Sequence, residues 1–191
     1  PPCGCRLRRA LWCSTYRVIS EVMTIRLSVL GVGSIGTVNA GALAATSAEL
    51  HLHVRGERGA VQMVQGLQIS GHATLNLGPE RFMFSCEELA VDDALVRGSD
   101  VVIFACKSYT LPDLAQTATT FLKPGGLVLA LCNGLGHVET LTRTFGPTAV
   151  LAASTTHGAY VDGDGVVWAG FGGIGLSLPP LGPSEAQLET L

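Results

Sequence analysis

The stretch RLSVLGVGSIGTVNAGALAA, residues 26–45, decides how the rest of the chain is read. Ile25 to Leu30 has the pattern of a short, largely buried strand, with Ile25, Leu27 and Val29 on one face. Gly31, Gly33 and Gly36 then make a tight turn, and Thr37 to Ala45 reads as the small-residue start of a helix. Strand, G-x-G-x-x-G and helix in this order form the fingerprint of a dinucleotide-binding turn. The first glycine permits the sharp turn, the second lets backbone approach a pyrophosphate, and the third lets the helix pack closely. The free N–H groups and partial positive charge at the helix start then face the phosphates.

Composition agrees with this reading. At 191 residues the chain has room for one sizeable domain, and not for two full ones. Hydrophobic residues make up 47% and charged residues 14%, which suits a parallel sheet buried on both faces. Residues 1–22 carry four Arg against one Glu, +3, leaving eight basic against fourteen acidic residues, −6, over 23–191. A domain at −6 lacks the basic field of a nucleic-acid binder, so phosphate recognition must be local. Cys3, Cys5 and Cys13 lie in the first segment, and Cys86, Cys106 and Cys132 stand isolated in the second. This spacing suits reduced, buried thiols of a cytoplasmic protein, with no second pair to complete a metal site. Asp162 and Asp164 have ligand-like spacing, but Asp-Gly pairs between strands read as turn residues, so no metal is assigned. The 22 uncharged residues from Leu27 to Ala48 contain four glycines and fit a strand–turn–helix, not a membrane span.

Along the chain, residues 1–22 stand apart as an unassigned extension. The expectation is translated upstream sequence with Met23 as the natural start. A targeting segment is the alternative, because Arg8 and Arg9 precede apolar residues. From Met23 strands and helices alternate. Ala48–Val54 is a strand, Glu57–Gln65 a helix, and 67–85 a set of short strands and turns. Asp100–Ala105 is a strand, Leu111–Leu122 a helix, LVLALC a strand after a Lys-Pro-Gly-Gly turn, His137–Phe145 a helix and Ala149–Ala153 a strand. The fold class is therefore α/β, a Rossmann-type doubly wound, mostly parallel sheet, in a domain over 23–182. An antiparallel hairpin, TTHGAYV to VVWAGF around Asp162-Gly-Asp-Gly, closes it near the C-terminal end, and IGLSL can add a strand. Residues 183–191 read as a linker and the first turns of a further, truncated helical domain, opened by an S-x-x-Q capping box at Ser184–Gln187.

Three residues follow strands where ligands bind in such sheets. Arg55 stands nineteen residues after Gly36, where an NAD site places an acid, and Arg58 follows it. A guanidinium suits a 2′-phosphate, so the cofactor expected is NADP(H), against the alternative of merely solvated arginines. Lys107, one of two lysines, directly follows DVVIFAC. Asn133 follows LVLALC, and its amide suits a ribose or substrate hydroxyl, against the alternative of a plain Asn-Gly turn. His157 reads as a packed histidine satisfying backbone groups, with a substrate contact as the alternative.

Together GVGSIG, Arg55, Lys107 in FACKSYTL, LCNGLGHVETL and STTHGAYVDGDGVVWAG resemble the ketopantoate reductase (2-dehydropantoate 2-reductase) family, in order and spacing from Met23 to about Leu181. The resemblance implies that Gly31, Val32, Gly33, Ser34, Ile35 and Gly36 hold the pyrophosphate and Arg55 the 2′-phosphate. It places Lys107 on the cofactor, Asn133 on the nicotinamide ribose side and the substrate, and the backbone of Ala159 against the cofactor. It implies NADPH-dependent reduction of 2-dehydropantoate to pantoate, on the route to coenzyme A, in the cytoplasm. In that family a helical second domain supplies the lysine that protonates the nascent alkoxide. Lys107 and Lys123 match no such motif, so no catalytic residue is assigned here, and the expected lysine lies beyond Leu191. The chain alone is then expected to be inactive, with its domain-facing surface open to homodimerisation. A related reductase of another 2-keto acid and a non-catalytic NADP-binding module are the alternatives, with a small-molecule substrate, no nucleic acid and no membrane as partners.

Overall fold

The computed structural model describes residues 24–87, 98–170 and 172–189; the extension at 1–22 lies outside them. Strand β1 (Arg26–Leu30) passes through the glycine turn into α1 (Ser34–Leu43), followed by β2 (Glu49–Val54) and α2 (Gly56–Gln65). Three short strands come next: β3 (Leu67–Gly71), β4 (Leu75–Leu77) and β5 (Met83–Cys86). The chain continues with β6 (Ser99–Phe104), α3 (Leu111–Ala118), β7 (Leu122–Ala130), α4 (His137–Phe145) and β8 (Val150–Thr155). Strands β9 (Ala159–Asp162), β10 (Gly165–Trp168) and β11 (Ile174–Ser177) and the short helix α5 (Glu185–Glu189) complete it.

Seven strands form one sheet in the order β11-β8-β7-β6-β1-β2-β5, parallel throughout except for β11, which runs antiparallel to β8. This is the doubly wound α/β architecture expected. Alternation along each strand feeds two cores. Leu30, Val102, Phe104 and Val128 pack under α3 and α4 with Leu111, Leu114 and Leu141. Leu27, Val29, Leu52 and Ile103 point the other way, towards Ala40 of α1 and its C-cap Ala44. With both faces covered, the strands need continuous apolar runs, which is why they were legible.

The expected hairpin forms, with Gly163 and Asp164 between β9 and β10, but it does not join the main sheet. It builds a second sheet, ordered β4-β3-β10-β9, by pairing β10 parallel to β3. Helix α1 is clamped between the two sheets and touches β1 and β2 on one side and β3, β9 and β10 on the other. A Cβ on Gly41 would strike the Ile69 side chain of β3. Small residues all round α1 are what this double packing demands.

Two helix boundaries differ from expectation by more than one residue. Helix α1 begins at Ser34 rather than Thr37, because Gly33 takes the extended N-cap conformation. Helix α3 stops at Ala118 rather than Leu122. The hydroxyls of Thr119 and Thr120 there bond back to the carbonyls of Gln116 and Thr117 at 2.7 and 2.8 Å and compete with helix continuation. The Lys123–Gly126 turn forms as a loop-out within β7, where the register with β6 jumps between Ser99–Leu122 and Val101–Leu127. The capping box also forms, with the Ser184 N–H donating to Gln187 Oε1 at 2.9 Å. Among the described residues no helix is long and apolar enough to cross a membrane.

Candidate functional site

The C-terminal ends of β1, β2, β6, β7 and β8 surround a cavity of about 510 Å³. That is the side of an open α/β sheet where ligands bind, at the point where strand order reverses between β1 and β6. The three glycines divide the work. Gly31 has φ +87°, and a Cβ there would press on Cys106 Cβ at 3.0 Å and Ala105 C at 3.1 Å. A side chain at this position would push β1 and β6 apart. A Cβ on Gly36 would run into the Gly31 carbonyl oxygen, so Gly36 packs the helix onto the turn and does not line the cavity. A Cβ on Gly33 would meet no protein atom, because that position faces open space.

Val32, Gly33, Ser34 and Ile35 line the cavity as expected. The Gly33 N–H donates to Gly31 O at 2.8 Å, and Thr37 N makes the first helical bond, to Gly33 O at 2.9 Å. The N–H groups of Ser34, Ile35 and Gly36 precede that first helical bond, as the donors of a helix start do. Gln62 of α2 was not foreseen. Its buried amide donates to Val32 O at 3.1 Å and Thr37 Oγ1 at 3.3 Å, tying the turn to the next helix. An amide at a core position of an amphipathic helix was the available signal.

Arg55 is the N-cap of α2, is exposed, and its side chain has no hydrogen bond or ion pair among the described residues. Arg58 stands one turn on with its Nε buried and unpartnered, and burial lowers its pKa despite the nearby Asp164. Both arginines line the cavity, whereas Glu57 between them does not. Lys107 and Asn133 also line it and are exposed, each just beyond the strand expected to deliver it. The Lys107 carbonyl is held by Thr110 through its N–H at 3.0 Å and its hydroxyl at 2.9 Å, which fixes the loop.

Two expectations change, and Ala159 lies apart from the cavity lining. Ala159 opens β9, pairs with Trp168 in the second sheet and does not line the cavity, whereas Thr155 at the end of β8 does. His157 is packed, its ring 5.6 Å from that of Trp168, but its Nδ1 has no hydrogen-bond partner and so satisfies no backbone group. Cys106 and Cys132 are not isolated: the Cys132 thiol donates to Cys106 O at 3.2 Å.

Beneath the cavity runs a buried polar chain that the sequence did not flag. Ser99 Oγ lies 2.6 Å from Ser28 Oγ, which lies 2.8 Å from His51 Nδ1. His51 Nε2 and His53 Nδ1 share Ser85 Oγ at 2.7 and 2.8 Å. Burial, reinforced by His53, pushes the His51 imidazole down to about 4, and burial lowers His53 too. Both are neutral links between β1, β2, β5 and β6.

Comparison with known proteins fits this geometry. Residues 27–178 match the family model described as ketopantoate reductase PanE/ApbA. The chain belongs to the ketopantoate reductase family. A 2-dehydropantoate 2-reductase of Pyrococcus abyssi is 30% identical over 162 residues, covering 84% of this chain and 50% of that protein. The chain thus spans about half the length of the curated ketopantoate reductases it matches. Among solved structures, the 2-dehydropantoate 2-reductase of Porphyromonas gingivalis superimposes with TM-score 0.71 at 18% identity, covering 87% of this chain and 59% of that one. A D-mandelate dehydrogenase with NADH and anilino(oxo)acetate gives 0.69 at 20% identity, over 82% and 49%. At these identities the structures bear on fold alone.

Proposed function

We propose that the chain is the cofactor-holding portion of an NADPH-dependent 2-dehydropantoate reductase. The observation that carries this reading is a glycine turn, a free helix start and Arg55, Arg58 and Lys107 converging on one cavity. The residues fit a dinucleotide phosphate. Gly33 leaves space where a side chain would intrude, and Arg58 Nε is a buried donor lacking an acceptor.

When bound, NADPH supplies a hydride to the keto carbon of the substrate. The N–H groups of Ser34 and Ile35 would hold the pyrophosphate, with Gln62 keeping the turn in shape. Arg55 and Arg58 take the 2′-phosphate. Lys107 contributes positive charge and a donor at the end of β6, and Asn133 orients the ribose or the substrate hydroxyl from the end of β7. Reduction also requires a proton for the alkoxide. Lys123 cannot give it, since it pairs with Asp100 at the opposite edge of the sheet. We assign the proton donor to a group outside the residues of this cavity, so the chain alone is expected to bind NADPH and reduce 2-dehydropantoate negligibly.

A second reading is reduction of another 2-keto acid, because the cradle holds the cofactor and does not select the substrate. Fluorescence titration with NADPH, followed by NADPH oxidation assays with 2-dehydropantoate and phenylglyoxylate, tests both. Saturable NADPH binding supports the cradle. Absence of binding overturns it, and turnover by this chain would mean that the proton donor is already present.

A further inference from the structure

The glycine turn rests against a thiol, and the reductase reading gives that thiol no task. Strands β6 and β7 run parallel with Phe104 opposite Ala130, and the Leu131 N–H donates to Phe104 O at 2.8 Å. Two residues further on, this register sets Cys106 beside Cys132. Adjacent strands lie roughly 4.8 Å apart, within the Cα separation a disulfide spans. The contact is observed as well as inferred: Cys132 Sγ is 3.2 Å from Cys106 O, and both side chains pack on the core beneath α3 and α4.

The two thiols differ. Cys106 is half-buried and lines the cavity, whereas Cys132 is 2% exposed and does not line it. We propose that Cys106 and Cys132 form an oxidisable dithiol in the cavity wall, with Cys106 oxidised first by peroxides and Cys132 resolving it to a disulfide. The environment favours that order. The neighbouring Cys132, with Thr110 and the field of Arg55, draws the Cys106 pKa down against its burial. The same contact, with burial, pushes Cys132 up, so it remains a thiol until its partner is oxidised.

In the first step the Cys106 thiolate attacks one peroxide oxygen. The S–O bond forms, the O–O bond breaks, and the departing hydroxide takes up a proton to give water and Cys106 sulfenic acid. Cys132 sulfur then attacks the Cys106 sulfur. The S–S bond forms, the S–O bond breaks, and the leaving hydroxide carries off the Cys132 proton as a second water. Two thiols lose two electrons in all, and one peroxide gains them.

Cys106 also touches the turn, since a Cβ on Gly31 would lie 3.0 Å from Cys106 Cβ. A sulfur drawn away or derivatised there alters the floor of the cavity. This consequence rests on the cofactor reading, whereas the disulfide itself does not. The test therefore has two arms. The full chain is treated with stoichiometric hydrogen peroxide and mapped by peptide mass spectrometry, which separates this pair from Cys3, Cys5, Cys13 and Cys86. The expected result is a Cys106–Cys132 cross-link lighter by two hydrogens. Cys132→Ala should stop at a dimedone-trappable sulfenic acid on Cys106, and Cys106→Ser should leave Cys132 reduced. Oxidation at Cys86 instead, or independent adducts on the two cysteines, overturns the proposal. In the second arm saturating NADPH is present. Cross-linking slowed at least tenfold supports placing Cys106 in the cofactor wall. A cross-link that forms at the same rate keeps the dithiol and rejects its coupling to the cofactor.

Discussion

The two edges of the main sheet treat charge in opposite ways. At the edge where the parallel strands begin, Arg26 pairs with Glu49 at 2.7 Å, Lys123 pairs with Asp100, and Asp100 also accepts the Arg26 N–H at 2.8 Å. At the edge where they end, Arg55 and Lys107 have no acidic partner among the described residues, and Arg58 reaches only Gly165 O at 3.5 Å. A folded chain gains nothing from cations crowded together without anions. The first edge is built for stability, and the proposed reading has the second completed by an anionic ligand.

Substitutions at the glycines test the ligand edge hardest. Gly36→Val should cost about 1–3 kcal/mol of stability by overpacking against the Gly31 carbonyl. Thermal unfolding would show the loss, and titration should detect no NADPH binding. Gly33→Ala separates the two effects. With open space around that position, stability should stay within about 0.5 kcal/mol. NADPH affinity should nonetheless fall by about tenfold or more, roughly 1.4 kcal/mol. Equal affinity in Gly33→Ala would mean that the phosphates do not lie over the turn.

The histidine chain under the cavity ties the two edges together and makes the fold sensitive to acid. His51 titrates at about 4 in the folded chain, against an ordinary 6.5 when unfolded. Its contribution is complete above pH 6.5 and is lost as pH falls through 4, because the unfolded chain takes up the proton first. The loss amounts to about 3 kcal/mol at most. Denaturant titrations between pH 7 and 4 would measure it, and His51→Gln should flatten the slope. A profile unchanged by that substitution would place the acid sensitivity elsewhere. The smallest effect belongs to the paired edge. Lys123→Gln should cost about 1 kcal/mol or less and leave NADPH affinity unaltered. A change in affinity would show that the two edges are not independent.

What the sequence revealed follows from the range of each interaction. The glycine turn and the buried parallel strands were legible because a few adjacent residues encode them. Arg55, Lys107 and Asn133 were legible because each directly follows such a strand, and the cavity gathers all three. The second sheet was hidden, because Ile69 meets Val166 across nearly a hundred residues and no local pattern encodes that pairing. Ala159, which only the resemblance set against the cofactor, pairs with Trp168 in that second sheet. Gln62, His53 and the Cys106–Cys132 pair depend on which strand or helix lies beside which, and so needed the register.

On the proposed reading, the cations at the end of β2 take a 2′-phosphate. Isothermal titration of the full chain and of Arg55→Ala with NADPH and NADH addresses it most directly. A charge-assisted contact of about 1.5–3 kcal/mol predicts NADPH binding ten- to a hundredfold tighter than NADH. Arg55→Ala should remove most of that preference while leaving NADH affinity unchanged. Equal affinities for the two nucleotides, or a preference that survives loss of Arg55, would contradict the account.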